Sequence, residues 1–198
     1  MKIVIIGATG RIGKQVSAAL EIDHELVGAG SQSGEYMLDI RSVDSITDFF
    51  EKIGSFDALI STTGKGHFGS LSTLNDINFR IGIDNKLMGQ INLVLIGQRY
   101  LNAGGSFTLT SGILSRIPVT QGAILSAVNG ALESFTVAAA IELTDGKRIN
   151  CISPGIIEGS TNLLPFFPGH EPVKMKSVVA AYLESVLGDL SGQVIDIH

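Results

Sequence analysis

Three glycines follow the first apolar stretch of the chain at a spacing that suits a dinucleotide. Met1-Lys2-Ile3-Val4-Ile5-Ile6 resembles a short strand, and it runs directly into Gly7-Ala8-Thr9-Gly10-Arg11-Ile12-Gly13. In this G-x-x-G-x-x-G spacing the first glycine permits a tight turn, the second admits a pyrophosphate, and the third lets the next helix pack closely. The amphipathic run Arg11 to Leu20 then predicts a helix whose free amides attract phosphate charge. The beginning of the chain therefore predicts a dinucleotide-binding site.

Apolar, strand-like runs alternate with helical segments along the rest of the chain, which indicates a parallel sheet covered by helices. With 198 residues and 44% hydrophobic content, the chain can bury a full core. We therefore expect an α/β fold, a Rossmann-type doubly wound parallel sheet flanked by helices, in which residues 1–198 form a single domain. The later predicted strands are His24 to Ala29, Met37 to Ile40, Phe56 to Ser61, Ser106 to Ser111, Arg148 to Ser153 and Gln193 to Ile197.

Three further segments have helical periodicity. Ser42 to Ile53 carries apolar residues every three to four positions behind a serine cap. Two longer helices are predicted at Asn78 to Leu101 and Thr120 to Leu143, and the second is almost free of charge, which suggests burial on more than one side. This pair could form the interface of a homodimer or homotetramer, or both helices could be buried within their own chain.

Composition narrows the class of partner. A net charge of -5 and a pI near 5.3 leave no basic patch with interleaved aromatic residues, so we expect no nucleic-acid partner. The apolar start is too short for a signal peptide and no long unbroken apolar run follows, so we expect a cytoplasmic protein with no membrane association. The single Cys151 is interpreted as an apolar strand residue, and no metal site is expected.

Five further short motifs follow one another along the chain, at or near the predicted strands. After the glycine turn come Asp39-Ile40, Ser61-Thr62-Thr63-Gly64, Thr110-Ser111-Gly112, Ser153-Pro154-Gly155-Ile156-Ile157 and Gly192-Gln193-Val194-Ile195-Asp196. This order resembles the short-chain dehydrogenase/reductase family over nearly the whole chain. The resemblance implies an NAD(P)-binding Rossmann fold in which Ser111 occupies the place of the active-site serine. Together with the glycine turn, it implies a cofactor site formed by Gly7, Thr9, Gly10, Arg11, Ile12, Gly13, Ser31, Asp39, Ile40, Thr62, Gly64, Asn129, Pro154, Gly155 and Ile157.

The chain departs from that family where the family carries Tyr-x-x-x-Lys. The sequence there is Leu125-Ser126-Ala127-Val128-Asn129, so that leucine replaces tyrosine and asparagine replaces lysine. None of Tyr36, Tyr100 and Tyr182 is followed by lysine four residues later. In the family the lysine lowers the pKa of the tyrosine and holds the nicotinamide ribose. Asn129 could still bind the ribose, but Leu125 has no proton to donate.

Other side chains could take over the chemistry. Lys86 stands where the family places an active-site asparagine, and we hypothesise that Lys86 and Ser111 polarise a carbonyl or hold an anionic substrate. The alternative is that Lys86 is a solvated lysine on the helix surface. His67 follows the fourth strand and could supply a proton near neutral pH, or it could be an ordinary loop histidine.

Cofactor preference depends on the end of the second strand. An acidic residue there binds the ribose hydroxyls of NAD and excludes the phosphate of NADP, but the sequence is Gly28-Ala29-Gly30-Ser31-Gln32. We therefore predict NADP over NAD, with Arg11 as a possible partner for the phosphate; alternatively, Arg11 faces solvent.

Three functions are compatible with these residues. The favoured one is an NAD(P)-dependent oxidoreductase with a non-standard active site, transferring hydride to a quinone, a flavin or an activated carbonyl. The alternative is a catalytically inactive NADP-binding redox sensor or regulatory partner. A purely structural subunit is the third, and the intact glycine turn argues against it.

Overall fold

A computed structural model of the chain describes residues 1–161 and 163–198. In this part of the chain seven strands form one all-parallel sheet in the order β3-β2-β1-β4-β5-β6-β7. Strand order reverses next to β1, as expected for a doubly wound sheet. The strands are β1 (Lys2–Ile6), β2 (Glu25–Gly30), β3 (Tyr36–Met37), β4 (Phe56–Ser61), β5 (Leu101–Thr110), β6 (Arg148–Pro154) and β7 (Val194–Ile197).

Helices cover the sheet and bury an apolar core on each face. One core contains Phe50 and Leu93, and the other contains Val16 and Tyr182. Because parallel sheets bury both faces, the central strands are almost continuously apolar. The α-helices are α1 (Arg11–Leu20), α2 (Val43–Ile53), α3 (Asp76–Gly82), α4 (Met88–Gly97), α5 (Ala123–Glu142) and α6 (Met175–Leu187). The α/β fold predicted from the sequence is confirmed.

The prediction of one helix from Asn78 to Leu101 was wrong, because the segment has other ends and is not a single α-helix. The segment begins as α3, passes through a π-helical turn at Ile83–Leu87, and ends as α4. Leu101 is instead a buried residue at the beginning of β5. A Cβ at Gly97 would lie 2.8 Å from Cζ of Phe50, so α4 and α2 pack closely where α4 ends.

Two strand predictions also needed correction. The third strand is Tyr36–Met37 and not Met37 to Ile40, so Asp39 and Ile40 lie beyond its end. The fifth begins at Leu101, five residues before its predicted start at Ser106. The polar and glycine-rich segment Asn102 to Gly105 concealed that early start, because such residues disfavour strands.

Helix α5 is long and apolar enough to cross a membrane, by length and composition alone. One such helix is weak evidence, because core helices of soluble proteins pass the same test. Its inner face is buried through Ile124, Val128 and Leu132, and the first two lie beside Gly82 of α3. Val137 and Ile141 are exposed in the single chain.

Candidate active site

The glycine turn has the geometry that its sequence predicted. Gly7 adopts a φ of +85°, a conformation that side chains rarely tolerate. A Cβ at Gly13 would lie 2.1 Å from the carbonyl oxygen of Gly7, so only glycine lets α1 approach the turn this closely. In the described part of the chain no side chain caps α1, whose first residue is Arg11. The turn therefore offers a helix N-terminus to an anion.

Beside the turn, a cavity of about 310 Å³ lies beyond the ends of β2 and β3. The Asp39 carboxylate forms an ion pair with Arg41 at 2.7 Å, and its hydrogen bonds from Arg41 hold the pKa of Asp39 below its usual value. Thr9 Oγ1 lies 2.8 Å from Ser33 Oγ and so ties the turn to the segment after β2. The cavity is lined by Ser31, Gln32, Asp39, Ile40, Arg41, Thr63, Gly64, Lys65 and Asn85.

Arg11 extends toward a different segment, the loop that follows β6. Its Nη1 donates to the carbonyl oxygen of Glu158 at 3.3 Å and to Ser160 Oγ at 3.2 Å. These contacts link the glycine turn to the loop. To bind a phosphate near Ser31, the guanidinium would have to release them.

A second cavity, of about 250 Å³, shares Thr63 and Gly64 with the first, so the two adjoin at the carboxyl ends of the strands and are together called the cleft. Most of its wall is apolar. Two of the three predicted catalytic residues, Lys86 and Ser111, line this cavity. From the predicted cofactor site it includes Ile12, Thr62, Gly64, Asn129, Pro154, Gly155 and Ile157.

Lys86 lies at the floor of this second cavity and is only 9% exposed. The π-helical turn carries it, and its Nζ donates to the carbonyl oxygen of Ser111 at 2.8 Å. A Cβ at Gly64 would lie 2.5 Å from Lys86 Cγ, so a glycine makes room for the lysine stem. Desolvation lowers the pKa of Lys86 to about 8, although the nearby Cys151 and Glu133 raise it. The interpretation of Lys86 as a solvated surface residue is therefore wrong.

Ser111 connects Lys86 to an acidic residue that the sequence reasoning missed. Its hydroxyl donates to Oε1 of Glu133 at 2.8 Å, and Glu133 is also buried. Ser115 donates to the same oxygen at 2.7 Å, while Arg116 pairs with Oε2 at 3.2 Å. The signal in the sequence was its spacing, because Glu133 follows Asn129 by four residues and so shares its face of α5.

Leu125 and Asn129 line the same cavity one helical turn apart. Leu125 packs against the loop after β4, where a Cβ at Gly66 would lie 2.1 Å from its Cδ2. Asn129 is buried, and its Nδ2 donates to the carbonyl oxygen of Gly112 at 3.1 Å. Its Oδ1 has no hydrogen-bond partner among residues 1–161 and 163–198. A buried acceptor of this kind is costly unless a ligand donates to it.

Tyr182 lies outside the cavity lining, in the core beneath β5. It is fully buried, its hydroxyl is 2.6 Å from Thr110 Oγ1, and burial raises its pKa. Such a phenol has neither the position nor the acidity to give a proton to a ligand in the cleft. Tyr182 is a core residue.

His67 lies on the loop after β4 and is half-buried. Among the described residues that line the second cavity, this loop contributes Phe68 and not His67. The Phe68 ring stacks on Phe166 with centroids 4.4 Å apart, and Phe167 packs against the same cluster. Phe68 and Phe167 therefore form an aromatic part of the cavity wall, and His67 is next to Phe68 in the chain but outside that wall.

No group of three metal-ligating side chains comes together anywhere in residues 1–161 or 163–198.

A family model described as enoyl-(acyl carrier protein) reductase matches residues 12–186. A short-chain dehydrogenase/reductase of Stachybotrys chlorohalonatus, ATR9, is 27% identical over 186 residues, which are 91% of this chain and 71% of that protein. A short chain dehydrogenase of Passalora fulva, claC, is 27% identical over 74% of this chain. The chain spans 60% of the length of that second relative.

Solved structures show the same fold over the full chain. The protein lin1944 from Listeria innocua is 43% identical, with a TM-score of 0.98 and complete coverage of both chains. A small-chain dehydrogenase in complex with NADPH is 32% identical with a TM-score of 0.89, and the match covers 99% of this chain and 95% of that one. On the evidence of its glycine turn, its sheet and these matches, the chain belongs to the short-chain dehydrogenase/reductase family.

Proposed function

We propose that this protein is a nicotinamide-dependent oxidoreductase in which the buried ammonium of Lys86 replaces the proton donor of the family's Tyr-x-x-x-Lys motif. The observation that carries the proposal is the position of Lys86, a cation at the floor of an apolar cavity. Leu125 and Asn129, which we assign to the motif's two places, line the same cavity. The substrate class that suits this arrangement is an electron-accepting one, such as a quinone, a flavin or an activated carbonyl.

The residues of the cleft fit a dinucleotide. Gly7 and Gly13 form a cradle that a Cβ would fill, and the unpaired Oδ1 of Asn129 can accept a hydrogen bond from a ribose hydroxyl. The small-chain dehydrogenase in complex with NADPH supports a nicotinamide cofactor in this chain too. We infer a preference for NADP over NAD because Ser31, and not a carboxylate, directly follows β2, and because the Asp39 carboxylate in the same cavity is paired with Arg41.

The cofactor would supply the hydride when bound in the cleft. Lys86, with a pKa of about 8, is mostly protonated at pH 7. Its ammonium can therefore stabilise negative charge on a substrate oxygen and then release a proton to it. Leu125 has no proton to give, but it keeps that part of the wall apolar. A substrate that accepts hydride readily needs little further acid catalysis, which is why we favour quinones and flavins over simple ketones.

The test is NADPH oxidation by the purified protein with 1,4-naphthoquinone, flavin mononucleotide or an activated ketoester as acceptor. We expect Lys86→Met to lower kcat/KM by roughly 10²- to 10⁴-fold, the usual contribution of a general acid. The matched control is Lys176→Met, which removes an exposed lysine on α6. Turnover by Lys86→Met at the wild-type rate would contradict the proposed role.

The second candidate function is an NADP-binding redox sensor without turnover. The observation that favours it is the aromatic wall of the cavity, where Phe68 is held by its stack on Phe166 and presents an apolar surface that adds no polar group for catalysis. A thermal-unfolding titration separates the two functions. A rise in Tm with NADPH, while every acceptor leaves NADPH unoxidised, would favour the sensor.

We also propose that the protein is cytoplasmic and associates through α4 and α5 into a homodimer or homotetramer, without nucleic acid or membrane. Leu95, Val137 and Ile141 support the association, since all three apolar side chains are exposed in the single chain. Light scattering on the wild type and on Ile141→Lys tests it, and a wild-type monomer would contradict it.

A further inference from the structure

We infer that Glu133 is a positioning residue that holds the Lys86 ammonium at the cavity floor through the two ends of Ser111. The carboxylate accepts from the serine hydroxyl at 2.8 Å, and the serine carbonyl accepts from Lys86 Nζ at 2.8 Å. A single residue thus connects an anion on α5 to a cation on the π-helical turn. The hydrogen bond from the Ser111 hydroxyl to Glu133 restrains Ser111, and it thereby also restrains the Ser111 carbonyl oxygen that accepts from Lys86.

Glu133 is itself held firmly enough to act in this way. Oε1 accepts from both Ser111 and Ser115, and Oε2 pairs with Arg116 at 3.2 Å. Arg116 also forms an ion pair with Asp196 at the sheet edge. Because the carboxylate is buried and its oxygens are already bonded to protein groups, it cannot swing toward the cavity without losing those contacts.

Two titratable groups face Lys86 from the elements packed against it. Glu133 comes from α5, and the Cys151 thiol comes from β6. Burial raises the pKa of Cys151 to about 11, so the thiol is neutral at physiological pH and adds no charge. Glu133 is therefore the anion that favours the charged form of Lys86, and Arg116 offsets part of its effect from the far side.

The consequence for catalysis rests on the proposed function, because it requires Lys86 to meet the substrate. Without Glu133, desolvation would act on Lys86 with less opposition, and a smaller fraction of the lysine would carry a proton at neutral pH. The ammonium would also lose its fixed position. The connection between Glu133 and Lys86, however, can be measured in the protein alone.

The experiment follows Lys86 by NMR in protein labelled with ¹³C-lysine, titrated from pH 6 to pH 10 without cofactor. The Lys86 signal is assigned by its loss in Lys86→Met. We expect Glu133→Gln to lower the Lys86 titration midpoint by about one pH unit, a modest value for loss of a neighbouring opposite charge. Glu142→Gln, an exposed glutamate on the same helix, should leave the midpoint unchanged.

Ser111→Ala provides a second variant that changes little volume, so the test survives if Glu133→Gln does not fold. It should lower the midpoint in the same direction by a smaller amount. An unchanged Lys86 midpoint in the folded Glu133→Gln protein would overturn the inference. A shift in Glu133→Gln with none in Ser111→Ala would also overturn it, because the effect would not pass through Ser111.

Activity supplies a separate readout. With Glu133→Gln, the alkaline limb of the kcat/KM profile should move to lower pH by the same amount as the NMR midpoint. A purely structural role would lower activity at every pH without moving the limb, and would overturn the inference. If Lys86→Met retains turnover while the NMR shift is present, the proposed function fails and the connection between Glu133 and Lys86 stands.

Discussion

Replacing Lys86 with methionine should make the stability of the protein less dependent on pH. Methionine has nearly the length of lysine and fills the same channel beside Gly64, but it carries no charge to desolvate. The pKa of Lys86 falls from 10.5 to about 8 on folding, which corresponds to a cost of about 3 kcal/mol for keeping the lysine protonated. Removing the lysine also leaves the Ser111 carbonyl oxygen without this donor, which costs about 1 to 3 kcal/mol.

The two effects oppose each other at pH 7, so the more precise prediction concerns how stability changes with pH. Since the folded pKa lies below the unfolded one, the unfolded wild type binds more protons between these values, and wild-type stability rises with pH. For a folded value of 8, the gain from pH 7 to pH 9 is about 1.3 kcal/mol. Lys86→Met lacks this gain. Its stability relative to the wild type should therefore fall by that amount over the same interval.

The assay is urea unfolding at pH 7, 8 and 9, with the free energy of unfolding extrapolated to water. The series ends at pH 9 because the Cys151 thiol ionises near that pH in the unfolded chain but not in the folded one, which lowers stability in both proteins as pH rises further. Lys176→Met, which removes an exposed lysine, should show the same difference from wild type at each pH. If Lys86→Met also keeps a constant difference from pH 7 to pH 9, then Lys86 is not desolvated in solution and the reasoning about its pKa is refuted.

Three further changes test other parts of the site. Gly13→Ala places a Cβ 2.1 Å from the carbonyl oxygen of Gly7 and should distort the glycine turn. Calorimetry should then find NADPH affinity lowered about tenfold or more, which corresponds to about 1.4 kcal/mol. Unchanged affinity would contradict the proposal that the glycine turn binds NADPH. Ser31→Asp should shift the ratio of NADPH to NADH affinity toward NADH, because a carboxylate excludes the extra phosphate, and an unaltered ratio would show that Ser31 does not set the preference. Tyr182→Phe removes the hydroxyl contact with Thr110 and should lower the free energy of unfolding by about 1 kcal/mol, while the rate of NADPH oxidation stays unchanged. Loss of turnover at unchanged stability would instead give Tyr182 a chemical role.

Local patterns allowed the geometry of the glycine turn to be predicted. The glycine turn needs only neighbouring residues to define it, and Gly7 and Gly13 adopt the predicted roles. The strand ends that carry Thr62 and Pro154 also meet at one cleft, because parallel strands place their carboxyl ends on the same edge of a sheet. Arg11 was harder to place, since a long flexible side chain can reach several partners from one backbone position.

The sequence by itself determined that this is an α/β protein whose first strand runs into a glycine turn. Those properties depend on residue identity and on short-range periodicity. Only the tertiary structure decided that Lys86 is buried and that Glu133 lies within reach of Ser111. Burial and pKa depend on which distant elements surround a side chain, and the π-helical turn that brings Lys86 to the cavity floor leaves no periodic signal in the sequence.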